Sequence, residues 1–147
     1  MLSLQEISDR LEIEDLMVRY STVVDSRQWE LFDEIFTPEA RIDYTALGGA
    51  AGGLSEIKQF LATVMPGFAA YQHLMSNPVI KVDGDTATAR TMCHNPMMPT
   101  GEQTLMLCGL WYLDAFVRVD DRWWIRERVV EKGYQTVVAA AAPTEPE

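Results

Sequence analysis

The chain has 147 residues, a typical length for a single domain that buries a substantial core. Its residues are 48% apolar and 23% charged, as in soluble globular proteins, and no apolar run is long enough to cross a bilayer. The net charge of −10 argues strongly against nucleic acid and anionic membranes as partners, because phosphate groups require a basic surface. The N-terminal residues lack the basic and apolar stretches of a signal peptide, so we expect a cytoplasmic protein.

The first third of the sequence predicts helices. Ser3 and Glu6 have the spacing of a capping box, in which each side chain satisfies an exposed backbone N–H of the other residue. A short second helix is expected to be capped by Asp25 or Ser26 and to end before Pro38, since the residue before proline disfavours helical conformation. The first helix is predicted from apolar residues that recur every three or four positions: Leu4, Ile7, Leu11, Ile13, Leu16, Met17, Tyr20 and Val24.

A short strand is predicted at Arg41–Tyr44, followed by a flexible glycine-rich connector over residues 48–53. This connector lacks the GxGxxG spacing and the lysine of a phosphate-binding loop. Ser55 is predicted to cap a third helix, which ends at Pro66.

Beyond Pro66 the pattern changes to that of β-strands, with turns at residues 83–85 and 120–121. Helices followed by a meandering antiparallel sheet predict an α+β domain. We expect about three helices packed on a strongly curved, cone-shaped sheet, with a pocket between the first helix and the concave face. The predicted strands are Tyr71–Val82, Thr86–Asn95, Thr104–Val119 and Trp123 to about Val130.

The strand over residues 104–119 is apolar on both alternating faces, so both faces must be covered. We expect helices on one face and a second subunit on the other, which predicts a homo-oligomer, either a dimer or a trimer, through the outer face of the sheet. One domain is predicted over residues 1–136. Residues 137–147 are rich in alanine and then in proline and glutamate, and are predicted to form a disordered tail.

The chain contains two histidines, and both fall in predicted strands that form adjacent arms of one hairpin. His73 and His94 could therefore face one cavity and exchange protons at neutral pH, or both could be core histidines with satisfied hydrogen bonds. Asp25, at the end of the first helix, could cap the next helix or could orient an imidazole as the carboxylate of an acid–base pair.

Two tyrosines and several methionines are candidates for the pocket. Tyr20 and Tyr44 could donate hydrogen bonds to a substrate oxygen, although each could equally be a core tyrosine. Met97 and Met98 fall in a loop predicted between Asn95 and Gln103, where adjacent methionines would form a lid over the pocket. The predicted pocket residues are Trp29, Met92, Met97, Met98, Leu110 and Tyr112.

The order and spacing of these residues resemble the SnoaL-like branch of the NTF2-like superfamily, and within it the scytalone dehydratase and bile-acid dehydratase types. The resemblance extends from about Ile13 to Lys132. The matching segments are Tyr20-x4-Asp25-x3-Trp29, Phe36-Thr-Pro38, Arg41-Ile-Asp-Tyr44, the surroundings of His73, Thr86–Arg90 and Asp120–Trp123.

The resemblance implies that Asp25 pairs with a histidine, that His73 and His94 provide the acid–base groups, and that Tyr20 and Tyr44 polarise the substrate. It also implies a lyase of the dehydratase type that needs no metal and no organic cofactor. The ligand would be a small hydroxylated aromatic or polycyclic molecule. Where the fungal dehydratases have a serine and an asparagine on the long strand, this chain has Leu110 and Tyr112, so the substrate need not be a naphthol.

Other functions remain open from the sequence. Retro-aldol cleavage and double-bond isomerisation would use the same residues, because both proceed through a stabilised carbanion, and a non-catalytic ligand-binding module would use the same fold. An epoxide hydrolase of the limonene type needs an Asp–Arg–Asp set, for which Arg90 is the candidate arginine but no second acid is evident. Cys93 and Cys108 are expected to be free buried thiols, and neither has a second cysteine at metal-binding spacing.

Overall fold

The computed structural model describes residues 1–141, which form three helices and a seven-stranded sheet. This confirms the predicted α+β class. No helix within these residues is long and apolar enough to span a membrane. The helices are α1 (Leu4–Ser26), a 3₁₀ helix (Trp29–Glu34) and α2 (Leu54–Val64). The strands are β1 (Phe36–Asp43), β2 (Ala51–Gly52), β3 (Phe68–Tyr71), β4 (Leu74–Asp83), β5 (Thr86–Pro99), β6 (Thr104–Val119) and β7 (Arg122–Ala139).

Helix α1 begins and ends at identifiable caps. At its start, the Ser3 and Glu6 side chains form the predicted capping box. At its end, Arg27 adopts a left-handed conformation with φ of 58° and donates its backbone N–H to the last turn. The residue before the 3₁₀ helix is Gln28, which makes no side-chain cap. The prediction that Asp25 or Ser26 caps this helix is therefore wrong, because α1 continues through both residues.

Two further boundaries differ from the prediction. Strand β1 starts at Phe36 rather than Arg41, because residues around Pro38 continue along β7 with an irregular register. Helix α2 starts after Gly53 rather than Ser55, and the Glu56 carboxylate accepts a hydrogen bond from the Gly53 N–H.

The strands form one open sheet in the order β2-β1-β7-β6-β5-β3, with β4 also paired to β5. Strand β1 runs parallel to β7, whereas the other pairs are antiparallel. The sheet is therefore mixed, not purely antiparallel as predicted. The parallel pair arises because the chain passes from β1 through α2 and five strands before β7 returns beside β1.

Strands β3 and β4 lie end to end against the same edge of β5, with a gap at Gln72 and His73. The single strand predicted over residues 71–82 is thus interrupted. Opposite Gln72 lies Pro96, which accepts from the Gln72 N–H but has no N–H of its own to donate, so the ladder is broken there. The predicted loop after Asn95 is also wrong, since β5 continues to Pro99.

The two long strands β6 and β7 form the centre of the sheet. Alternate residues of β6 are buried beneath the helices, while the intervening apolar residues face the other side and are partly exposed. Strand β7 pairs with β6 as far as Ala139, so residues 137–139 belong to the sheet and not to a disordered tail. The rest of that predicted tail includes residues 142–147, which lie outside the described residues.

The core contains one fully buried ion pair between β6 and β7. Arg128 donates through Nε and Nη2 to the two carboxylate oxygens of Asp114, each at 2.7 Å, and both side chains are 0% exposed. Burial alone would lower the pKa of Arg128, but the Asp114 carboxylate outweighs that effect and holds it above its usual value. Two parallel hydrogen bonds also fix the orientation of the guanidinium plane.

Replacing Asp114 by alanine should destabilise the fold by about 3–5 kcal/mol, because it leaves Arg128 charged and uncompensated in the core. The matched control is Glu131→Ala, which removes the carboxylate of the exposed Arg90–Glu131 pair and should cost about 0–1 kcal/mol. Urea unfolding of the two variants measures the difference. Equal losses of unfolding free energy would contradict the assigned role of the buried pair.

Candidate active site

A cavity of about 180 Å³ lies between the end of α1, helix α2 and the concave face of the sheet. Apolar side chains from α2 and the following turn form one wall, and the inner residues of β5, β6 and β7 form the other. Polar groups enter at only a few points. Of the sequence-predicted site residues, the cavity is lined by Tyr20, Tyr44, His73, Met97 and Tyr112. Met106 also lines the cavity, and further lining residues that were not predicted as pocket residues are Phe60, Met65, Asn95, Cys108 and Gln135.

Asp25 and His73 form a hydrogen-bonded pair at the edge of this cavity. The Asp25 Oδ1 atom lies 2.8 Å from His73 Nδ1, and Asp25 Oδ2 accepts from the His73 backbone N–H at 3.1 Å. The carboxylate therefore holds both the ring and the main chain of His73. The His73 side chain is 6% exposed and that of Asp25 is 30% exposed, so the carboxylate lies behind the imidazole, toward solvent.

The pair depends on how α1 is joined to β3. Arg27 donates through Nη2 to the Phe68 carbonyl and through Nε to the Tyr71 hydroxyl, which in turn donates to the Val24 carbonyl. These bonds fasten the last turn of α1 to the strand that precedes His73. A carboxylate at a helix C-terminus is disfavoured by the helix dipole. The contact with His73 gives Asp25 a partner that could compensate for this position.

Asn95 occupies the other side of the imidazole. The registers of β3 and β4 place His73 directly opposite Asn95 on β5, and Asn95 Nδ2 lies 3.1 Å from His73 Nε2. Asn95 is buried, and its Oδ1 has no hydrogen-bond partner within the described protein. The imidazole is thus held between a carboxylate at Nδ1 and an amide at Nε2.

Three tyrosines form the polar end of the cavity. The hydroxyls of Tyr20 and Tyr44 lie 2.7 Å apart, and the Tyr20 ring packs edge-to-face on Tyr112, with ring centroids 5.5 Å apart. Burial raises the pKa of Tyr20, and it raises the pKa of Tyr44 and Tyr112 well above the ordinary value. The three phenols are therefore protonated at neutral pH and can act as hydrogen-bond donors.

The buried Arg128 lies beneath these tyrosines. Its guanidinium carbon is 4.0 Å from the centre of the Tyr20 ring and 4.1 Å from that of Tyr112. This cation–π contact, together with the pair to Asp114, fixes the two rings that bound the cavity. Sequence reasoning missed Arg128 because a charged residue in a predicted strand is ordinarily assigned to the solvent-facing side. Alternation from Trp123 and Ile125 would place residue 127 inward, but a bulge between Ile125 and Glu127 shifts the pattern, so Arg128 faces inward instead.

His94 lies on the opposite face of β5 from the cavity. Along β5, Cys93, Asn95 and Met97 are buried, while Met92, His94 and Met98 alternate with them. The His94 Nδ1 atom lies 3.1 Å from the Tyr134 hydroxyl on the outer face. The prediction that both histidines face one pocket is therefore wrong. Successive residues of a strand point to opposite faces of the sheet, so His94 lies on the outer face.

Four of the six predicted pocket residues do not line the cavity. Met92 and Met98 are on the outer face, so the predicted methionine lid is reduced to Met97. Leu110 is buried in the core, and Trp29 packs on Phe32 with ring centroids 6.3 Å apart.

The remaining candidate groups are one arginine and the two cysteines. Arg90, the arginine considered for an epoxide hydrolase, is on the outer face, where it pairs with Glu131 and stacks on Trp111 at 4.1 Å. Cys93 and Cys108 are free and buried, as predicted. Within residues 1–141, no three His, Cys, Asp or Glu side chains are grouped in a way that could hold a metal ion.

Comparison with known proteins identifies the family of this chain. Residues 5–129 match the SnoaL-like domain. An uncharacterised protein of Mycobacterium tuberculosis is 49% identical over 139 residues, which cover 94% of this chain and 95% of the relative, and a protein of Mycobacterium bovis matches equally.

Solved structures show the same fold. A provisionally named scytalone dehydratase of Novosphingobium aromaticivorans superposes with a TM-score of 0.80 at 25% identity, covering 96% of this chain and 97% of the other. A hexachlorocyclohexane dehydrochlorinase of Novosphingobium barchaimii has a TM-score of 0.84 at 19% identity, covering 97% and 99%. The match over most of the chain, together with these structures, shows that the protein belongs to the SnoaL-like family of the NTF2-like superfamily.

Proposed function

We propose that the protein is a cofactor-independent lyase that eliminates a small group, such as water, from an apolar hydroxylated substrate. The observation that carries this proposal is the Asp25–His73 pair at the wall of a largely apolar cavity, with tyrosine hydroxyls at another point of the same cavity. An imidazole held by a carboxylate is a suitable general base at neutral pH.

In the proposed reaction, His73 Nε2 takes a proton from a substrate carbon next to a carbonyl or an aromatic ring. The C–H bond breaks, and its electron pair forms the new double bond as the bond to the leaving group breaks. Asp25 stabilises the resulting imidazolium through Nδ1, as in other acid–base pairs. The Tyr44 or Tyr20 hydroxyl donates to the oxygen on which negative charge develops, and the departing hydroxyl takes up a proton from the imidazolium.

The cavity walls support a small aromatic or polycyclic ligand. Phe60, Met65, Met97 and Met106 offer apolar and polarisable contacts, whereas hydrogen-bonding groups are restricted to the histidine and tyrosine ends. The two structural neighbours carry names of elimination enzymes, one a dehydratase and the other a dehydrochlorinase. Both names fit a proton abstraction coupled to departure of a neighbouring group, which supports the same reaction type here.

The same constellation could carry out retro-aldol cleavage or double-bond isomerisation, because each proceeds through a stabilised carbanion. A panel of hydroxylated aromatic, steroid and lignin-like compounds, followed by mass spectrometry, separates these reactions. Loss of water indicates dehydration, loss of formaldehyde indicates carbon–carbon cleavage, and a product of unchanged mass indicates isomerisation. Tight binding with no product from any compound would favour a non-catalytic ligand-binding module.

Replacement of His73 by glutamine should lower turnover of any substrate found in this panel by about 10²–10⁴-fold, because the general base is lost. Asp25→Asn should also lower turnover, since it removes the charge that stabilises the imidazolium. The matched control is His94→Gln, which changes the chain's other histidine on the outer face and should leave turnover unchanged. Full activity in His73→Gln, or a comparable loss in His94→Gln, would contradict the assignment.

Replacement of Tyr44 by phenylalanine should lower kcat by about 100-fold, because one donor to the developing oxyanion is removed. Tyr134→Phe removes an exposed hydroxyl on the outer face and serves as the control. Burial raises the pKa of Tyr44, so ionisation of this tyrosine should cause no loss of wild-type activity below about pH 10. A decline of wild-type activity near neutral pH that is absent in Tyr44→Phe would contradict the role of Tyr44 as a protonated donor.

We also propose that the outer face of the sheet associates with further copies of the chain. Leu74, Met92, Met98 and Val138 on this face are each 39–49% exposed, and the outer residues of β6 beside them are apolar and partly buried. A contiguous apolar face of this kind is characteristic of an interface.

Light scattering at micromolar concentration should detect a dimer or a trimer. Met92→Arg should shift the population toward monomer, whereas Val18→Arg, on the exposed side of α1, should not. A wild-type protein that is entirely monomeric would contradict the proposed association.

A further inference from the structure

We propose that Asn95 is a positioning residue that pairs with His73 Nε2 in both protonation states of the ring. Its amide donates through Nδ2 to the neutral imidazole and, after half a turn about its last side-chain bond, accepts through Oδ1 from the imidazolium. The role of this exchange in turnover rests on the proposed lyase function, but the pairing itself does not.

The neutral state follows from the contacts of the ring. The Asp25 carboxylate can only accept, so the Nδ1 atom that lies 2.8 Å from it carries the ring proton. Nε2 then has a lone pair, and the group that faces it at 3.1 Å must be the amide NH₂ of Asn95. Asn95 and Asp25 together select one tautomer, whose basic nitrogen is the atom that faces Asn95, a lining residue of the cavity.

Protonation reverses the requirement at Nε2. Once Nε2 carries a proton, the amide NH₂ and the imidazolium N–H are both donors, and they cannot remain paired. The Asn95 Oδ1 atom is buried and has no partner in the described protein, so it is free to turn toward Nε2. Rotation of the amide exchanges donor for acceptor without displacing the strand, and one end of the amide is bonded to the ring in each state.

The other groups around the ring do not provide this exchange. Asp25 accepts in both states, and the rings of Tyr20 and Tyr71 lie nearly perpendicular to the imidazole, with centroids 6.4 and 6.0 Å from its own. Burial raises the pKa of the Cys93 thiol to about 12, so this inner neighbour on β5 carries no charge at neutral pH. The ionisable groups around His73 are Asp25 and Tyr20 on α1, Tyr71 on β3 with its partner Arg27, and Cys93 on β5.

In the reaction, the substrate C–H bond breaks, its electron pair stays on the substrate, and the proton bonds to the Nε2 lone pair. For this transfer the amide N–H must leave Nε2 as the substrate approaches. The rotated Oδ1 then holds the new Nε2–H until the proton passes to the departing group. Asn95 would therefore determine how long the transferred proton remains on His73.

Nitrogen-15 NMR of the ligand-free protein tests the pairing directly. The His94→Gln variant leaves a single histidine, so the ring signals of His73 can be assigned. We expect the neutral ring to be the Nδ1–H tautomer, and we expect the Asn95 side-chain amide signals to shift in step with protonation of His73. A neutral Nε2–H tautomer, or Asn95 amide signals that stay constant through that protonation, would overturn the proposal.

Two variants separate positioning from packing. Asn95→Asp supplies a permanent acceptor at Nε2, so His73 should hold its proton to a pH about one unit or more higher than in the wild type. Asn95→Leu has a similar volume but can neither donate nor accept, and should allow both neutral tautomers to be populated. A merely structural role predicts that both variants keep the wild-type tautomer and the wild-type protonation behaviour of His73, a result that would reject the proposal.

These measurements require no substrate, so they can fail independently of the proposed function. If turnover of a panel substrate depends on His73 but the Asn95 amide signals stay constant, the lyase proposal is retained and the exchange is rejected. An Asn95 amide that responds as expected, in a protein that turns over none of the compounds, would support the pairing and count against the lyase.

Discussion

The Asp25 carboxylate joins two parts of the chain on which the candidate site depends. One of its oxygens meets the His73 ring and the other meets the His73 backbone N–H, so a single side chain connects the last turn of α1 to the gap between β3 and β4. That gap exists because Pro96 cannot donate to the neighbouring strand edge. In this antiparallel pair Gln72 bonds to β5, so the next N–H, that of His73, points to the open edge of the sheet, where the carboxylate accepts it.

At the opposite end of the cavity, a buried charged side chain holds the tyrosine rings in place. The Arg128 guanidinium is fully buried, paired to Asp114 on one side and placed against the rings of Tyr20 and Tyr112 on the other. The arrangement keeps the phenols protonated, since burial raises the pKa of each despite the nearby positive charge. The cavity therefore has a basic end at His73 and a hydrogen-bond-donating end at the tyrosines, with apolar walls between them.

Much of the fold could be predicted from the sequence, because helix capping, apolar spacing and turn residues are local signals. The pairing of Asp25 with a histidine was also accessible, since both residues stand at recognisable positions. The face on which each strand residue lies was harder to predict. His94 was predicted to line the pocket, but its neighbour Asn95 lies there, because β5 pairs with β6 without a bulge and its odd-numbered residues from Ala87 to Met97 all face inward. The parallel pairing of β1 with β7 is a long-range contact, and no local pattern indicates it.

In the proposed reaction, His73 removes a proton from carbon. The most direct test is competition between a panel substrate and the same compound deuterated at the carbon that loses hydrogen, with the remaining ratio followed by mass spectrometry. If proton removal by His73 contributes to the rate, the protiated compound is consumed faster by the wild-type protein. Consumption of the two compounds at equal rates, under conditions in which the chemical step limits turnover, would contradict the account.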